Sequence, residues 1–119
     1  MIIEFYKYQA TGNDFIIIDD RESVFDLKDS SLIKSLCERK MGIGADGLIL
    51  LRNHAECDFR MIYFNSDGLE STLCGNGARC IVSFAYLLDI SSLESTFMAI
   101  DGIHKARILD SEVSISFLD

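Results

Sequence analysis

Cys74-Gly75-Asn76-Gly77-Ala78-Arg79-Cys80-Ile81-Val82-Ser83-Phe84-Ala85-Tyr86-Leu87-Leu88 is the stretch whose reading decides the fold. Arg79 carries its one charge, and from Cys80 onward the run is apolar nearly all round. A helix without a polar face is buried on all sides, so the run predicts a central helix over about 75–88. The first-turn amides of such a helix lack intrahelical partners and carry partial positive charge, which together seat an anion. Gly75 and Gly77 let a ligand come close to that backbone. The same dipole favours thiolate over thiol at Cys74. One segment therefore offers a base beside a carboxylate or phosphate cradle.

Working outward, residues 2–8 and 15–19 read as strands rich in Ile and aromatics, joined through Thr11-Gly12-Asn13-Asp14. Asp29 or Ser30 is placed to cap a helix over about 31–40, with Leu32, Ile33, Leu36 and Cys37 on one stripe and Gly42 and Gly44 ending it. Residues 47–52 form an apolar strand. Residues 58–65 set Phe59, Met61 and Tyr63 against Arg60, Ile62 and Phe64, a strand buried on both faces or nearly so. Ser66-Asp67-Gly68 turns the chain into a short strand, 69–73. Residues 95–100, 104–109 and 112–118 read as a meander with turns at Asp101-Gly102 and Asp110-Ser111. Many strands around one helix that needs cover predict an α+β domain, a curved, mostly antiparallel sheet wrapped around a buried central helix.

The chain has 119 residues, enough for one domain with a real core. Hydrophobic content of 49% and charged content of 25% are ordinary for a globular protein and argue against disorder. A net charge of −8, from 19 acidic and 11 basic residues, disfavours nucleic acid and anionic membrane surfaces as partners. Met1-Ile2-Ile3-Glu4-Phe5-Tyr6 reads as a strand rather than a secretory leader, no run reaches membrane-spanning length, and the cytoplasm is the expected compartment. Residues 112–118 run to the end of the sequence without a polar tail, as a cut between two domains or a tidy single domain would.

Four cysteines without a Cys-x-x-Cys pair do not make a disulfide framework. His54 and His104 lie far apart, so no metal site is expected. Cys37, Cys57 and Cys80 sit inside apolar patterns and read as small hydrophobes. Cys74 stands open between that reading and a reactive thiol. Asn13 and Asn65 precede turn formers and read, on their own, as turn asparagines; Asn76 before Gly77 shares the ambiguity. Arg79 reads as a partner for a carbonyl or carboxylate in the first helical turn.

The runs Thr11 to Phe15, Gly42 to Gly47, Phe64 to Gly68 and Cys74 to Cys80 occur in the order and at about the spacings of the diaminopimelate epimerases. The chain resembles that family from residue 1 to about 118, and Cys-Gly-Asn-Gly-Ala-Arg is the most specific block. The resemblance implies an N-terminal domain, one half of a two-domain fold whose second half, absent here, carries a second catalytic cysteine. It implies conversion of LL- to meso-diaminopimelate in lysine synthesis without pyridoxal phosphate or any other cofactor. Cys74 is then one of two acid/base thiols. Gly75 and Asn76 hold the substrate carboxylate through their backbone amides, and Asn13 and Asn65 touch the substrate away from the reacting carbon.

Two departures stand out. Gly47 takes a position where the family often has glutamine, which is expected to open or reshape the pocket wall. Gln9-Ala10 replaces a His-Gly pair just before Asn13. The related proline racemases have a different sequence around the thiol. A cysteine phosphatase needs a longer loop between thiol and arginine, with a histidine where Leu73 stands. The non-enzymatic alternative is an isolated domain with at most weak carboxylate binding; a homodimer of two such chains would bring two Cys74 thiols together.

Overall fold

The computed structural model describes residues 4–72 and 75–117. Its elements run β1 (Tyr6–Ala10), β2 (Asn13–Asp19), α1 (Ser30–Cys37), β3 (Gly47–Arg52), β4 (Phe59–Asn65), α2 (Gly75–Leu87), β5 (Glu94–Ala99), β6 (Gly102–Leu109) and β7 (Glu112–Phe117). The strands form one seven-stranded sheet in sequence order. Neighbours pair antiparallel except β2 with β3 and β4 with β5. Those two parallel junctions are where a helix intervenes, as parallel neighbours require a crossover. The fold is α+β, with a curved, mostly antiparallel sheet around α2, as expected.

Alternation along the strands divides the core in two. Phe15, Ile17, Ile49, Leu51, Phe59, Met61 and Tyr63 face inward onto Ala78, Ile81, Val82, Phe84 and Ala85 of α2. Ile16, Ile18, Leu48, Leu50, Ile62 and Phe64 face outward onto Ile33 and Cys37 of α1. The central strands therefore read as continuous apolar runs because both faces are covered. Phe84 is fully buried, with the Tyr6 ring at 4.9 Å and the Tyr8 ring at 5.8 Å between centroids.

Several boundaries differ from the sequence expectation, each for a local reason. The β1–β2 hairpin closes on Thr11 and Gly12, both left-handed at φ 47° and 87°, so β2 begins at Asn13. Asp29 caps α1, its side chain accepting from the Leu32 amide, but the helix stops at Cys37. Glu38 turns extended, and the chain doubles back so that the amides of Ile43 and Gly44 reach Leu36 O and that of Ala45 reaches Cys37 O. The last-turn carbonyls are thereby satisfied without further helix. Gly42 is required there, since an added Cβ would lie 2.0 Å from Ser35 O. The short strand expected after Gly68 reduces, among the described residues, to a single bridge between Phe64 and Glu70.

The helix itself needs a correction. α2 is not covered on every side: Arg79, Tyr86 and Leu87 are exposed and Ser83 is half-buried. The reason is that β1 and β7 are the two edges of the sheet, which stays open between them among the described residues. A cavity of about 480 Å³ runs along that opening, lined by Tyr8, Gln9, Arg79, Ser83, Glu112 and Val113 among others. Burial raises the Tyr8 phenol above its ordinary value there. No helix among the described residues is long and apolar enough to cross a membrane.

Candidate functional site

Register brings the candidate side chains to one end of the sheet. Phe15, Gly47 and Asn65 lie in a row across β2, β3 and β4. Asn13 starts β2 two residues before Phe15, so alternation puts Asn13, Gly47 and Asn65 on the inner face with α2. The N-terminus of α2 arrives at the same place. The Asn76 Nδ2 donates to Asn13 Oδ1 at 2.7 Å, and Arg79 Nη1 donates to Asn76 Oδ1 at 2.9 Å. Arg79 thus finds the first-turn carbonyl expected of it, in the form of a carboxamide.

Behind Asn13 lies a knot of charge. Asn13 Nδ2 donates to Asp46 Oδ2 at 3.2 Å, and the Asp14 amide donates to the same oxygen at 3.1 Å. Arg39 Nη2 reaches Asp46 Oδ1 at 3.1 Å and Asp14 Oδ1 at 2.8 Å. Lys7 adds a contact to Asp14 Oδ2 at 2.9 Å and donates to the Gly44 carbonyl. The Arg39 guanidinium, with Lys7 beside it, holds the Asp14 carboxyl well below the usual carboxylate range. Lys7, Arg39 and Asp46 had no part in the sequence reading of the site. Only the Gly42 to Gly47 run pointed toward Asp46.

Gly75 opens α2, and among the described residues nothing lies within 4 Å of where its Cβ would stand, so they leave its backbone open to a ligand. Cys74 lies outside the described residues. Asn65 makes turn bonds through its backbone, donating to Leu69 O and accepting from the Gly68 amide. Its carboxamide makes no hydrogen bond with another described residue, so Asn65 joins the site by its position at the sheet end rather than through the Asn13–Asn76 pair. Gln9 and Ala10 stand directly across the hairpin from Asp14 and Asn13. Cys37 and Cys80 are buried and Cys57 is half-buried; burial pushes the Cys37 thiol up, the opposite of activation.

At Gly47 a side chain would meet neighbours already in place. A Cβ there would lie 2.7 Å from Tyr63 Cε1, 2.8 Å from Phe64 O and 3.0 Å from the Tyr63 hydroxyl. The Tyr63 ring has taken the space, edge-on to Phe15 at 6.2 Å between centroids.

A family-wide sequence pattern for diaminopimelate epimerase matches residues 5–111. The chain belongs to the diaminopimelate epimerase family. It is 54% identical over 111 residues to the diaminopimelate epimerase of Flavobacterium psychrophilum, covering 93% of this chain and 43% of that one. Against the enzyme of the same name from Aquifex aeolicus it is 40% identical over 118 residues, covering 92% and 42%. With that of Chlorobaculum tepidum the identity is 53% over 81 residues, covering 68% and 31%. The chain thus spans less than half the length of these curated relatives.

Among solved structures, a probable proline racemase from Agrobacterium radiobacter K84 superposes with a TM-score of 0.69 at 15% identity, covering 98% of this chain and 42% of that one. A phenazine biosynthesis protein of the PhzF family from Bacillus anthracis gives 0.67 at 17% identity, covering 95% and 38%. At such identities the likeness speaks for the fold. This chain and these two structures share the fold, a curled sheet with few helices.

Proposed function

We propose that this chain supplies one half of a cofactor-independent site that epimerises LL- to meso-diaminopimelate, with Cys74 as one of two acid/base thiols. One thiolate takes the α-proton, its S–H forming as the C–H bond breaks. The thiol on the opposite face then gives up its proton, its S–H breaking as the new C–H forms. The product leaves inverted and the two sulfurs have exchanged protonation states. Negative charge building on the substrate carboxylate is met by the first-turn amides at Gly75 and Asn76, and Asn13 and Asn65 hold the substrate away from the reacting carbon.

The observation that carries this reading is the hydrogen-bonded line from Arg79 through Asn76 to Asn13 at the start of α2, beside the open backbone of Gly75. The helix that Cys74 immediately precedes in sequence is therefore docked on the end of β2 that begins with Asn13. The partner thiol is assigned to a second domain outside this sequence, in keeping with relatives more than twice as long. Alone, the 119-residue chain holds one catalytic thiol where the chemistry needs two, and its half-site faces water, which weakens both thiolate basicity and dipole stabilisation.

The test is α-proton exchange of diaminopimelate in D₂O, followed by NMR. The whole protein is expected to wash deuterium into the α-position with inversion from LL to meso and to lose the inversion in Cys74→Ala, while the 119-residue chain alone gives no inversion. Inversion that survives Cys74→Ala in the whole protein would refute the assignment.

A further inference from the structure

A carboxamide has an acceptor on one side and donors on the other, and its neighbours decide which way round it sits. Asn76 and Asn13 stand in line between two groups whose polarity is fixed. The Arg79 guanidinium has only donors and gives one to Asn76 Oδ1 at 2.9 Å. The Asp46 carboxylate has only acceptors and takes Asn13 Nδ2 at 3.2 Å. Between them Asn76 Nδ2 donates to Asn13 Oδ1 at 2.7 Å. The line runs one way, guanidinium to carboxamide to carboxamide to carboxylate. Turning either carboxamide over would set donor against donor or acceptor against acceptor.

We propose that Asp46 is a positioning residue for the substrate: it fixes the orientation of Asn13 from the anchored end of the line, while Arg79, which is exposed, holds Asn76 from the other. This rests on the epimerase reading above. Asp46 is itself held from three directions. Its amide donates to Asp14 O at 2.9 Å, its Oδ2 also accepts from the Asp14 amide, and its Oδ1 is held by Arg39. In the orientation so fixed, each carboxamide nitrogen keeps a second hydrogen for a ligand. These add to the first-turn amides of α2 as donors suited to a carboxylate. An Asn13 freed to turn over would present its oxygen in place of a donor, and an anionic substrate would meet an acceptor.

Asp46→Ala removes the fixed end of the line. Asp46→Asn keeps an oxygen for Asn13 Nδ2 and the Asp14 amide, and Arg39, which is exposed, retains Asp14 as its partner. In the whole protein, Asp46→Ala is expected to raise KM for LL-diaminopimelate roughly tenfold with kcat within about threefold of the parent, and Asp46→Asn to return KM to within about threefold. In the ¹⁵N-labelled chain, Asp46→Ala is expected to shift the side-chain amide resonances of both Asn13 and Asn76, and Asp46→Asn to leave Asn76 in place.

An unchanged KM in Asp46→Ala, equal impairment of KM by the two variants, or an unmoved Asn13 resonance would each overturn the proposal. If Asp46→Ala does not fold, the Asp46→Asn chain is read by itself: exchanging a carboxylate acceptor for a carboxamide oxygen is expected to move the Asn13 side-chain amide resonance, and an unmoved one overturns the proposal. If the parent whole protein shows no epimerase turnover, the epimerase reading fails, and the two resonances still decide the part assigned to Asp46.

Discussion

Two carboxylate networks of similar composition sit at different places on the same sheet, and they do different things. At Asp20 the network is closed. The carboxylate is 2% exposed, accepts from the Val24 and Phe25 amides and from Arg52 Nε, and Arg52 spends its other arm on Phe25 O. Every group there is used to pin the 20–25 loop to β3. At Asp46 the network is open: Asp46 is 40% exposed, Arg39 58%, and the two carboxamides at its far end retain hydrogen-bonding capacity. A satisfied buried network makes structure, whereas a satisfied but exposed one with capacity left over is available to a ligand.

The largest stability effect is expected where the closed network is broken. Arg52→Ala leaves a buried carboxylate without its cation and should cost about 3–5 kcal/mol by urea unfolding. It should leave KM of the whole protein unchanged once folded material is compared. Next comes Gly47→Ala, which drives a methyl against Tyr63 and the Phe64 carbonyl, for about 1–3 kcal/mol. Adding Tyr63→Phe should leave most of that cost in place, because the ring carbon at 2.7 Å remains.

Asn76→Ala inverts the pattern. Its stability cost should be about 1 kcal/mol or less, while KM for diaminopimelate rises roughly tenfold. A large stability loss without a KM effect would make Asn76 another member of the closed class.

The smallest effect is electrostatic. Asp14 has a folded-state carboxyl held below its ordinary value by Arg39 and Lys7. Its contribution is therefore complete above the unfolded value of about 3.9, and it is lost as the pH falls below that toward the depressed folded value. Acid titration of stability should show this slope in the parent and a shallower one in Asp14→Asn. Because Arg39 is mostly exposed, added salt should shrink the difference.

The fold was legible where local pattern and packing agree. The apolar run after Arg79 placed α2, and the two-faced apolar strands placed the centre of the sheet. The end of α1 was not legible, because it depends on the chain folding back between Gly42 and Ala45 to take the last carbonyls. The open side of α2 was half-legible. Arg79 and Ser83 are polar at helical spacing, but the surrounding apolar residues outweighed them.

At the site, Asn13 and Asn76 were named by resemblance and Cys74 by its place before the helix. That Asn13 and Asn76 touch each other could not be read from positions 63 residues apart. Asp46 and Tyr63 escaped for the same reason. One acts through a partner on a parallel neighbour strand, and the other fills a space defined only once Gly47 and Asn65 are in register.

The most direct measurement is a titration of the ¹⁵N-labelled chain with meso-diaminopimelate, read by amide chemical shifts. The backbone amides of Gly75, Asn76 and Gly77 and the side-chain amides of Asn13 and Asn76 should move together and saturate, while Val24 and Phe25 at the closed network stay still. Shifts confined to the Asp20–Arg52 region, or none at Asn13 and Asn76 when the whole protein binds the same compound, would contradict the placement of the substrate site at the open end of the sheet.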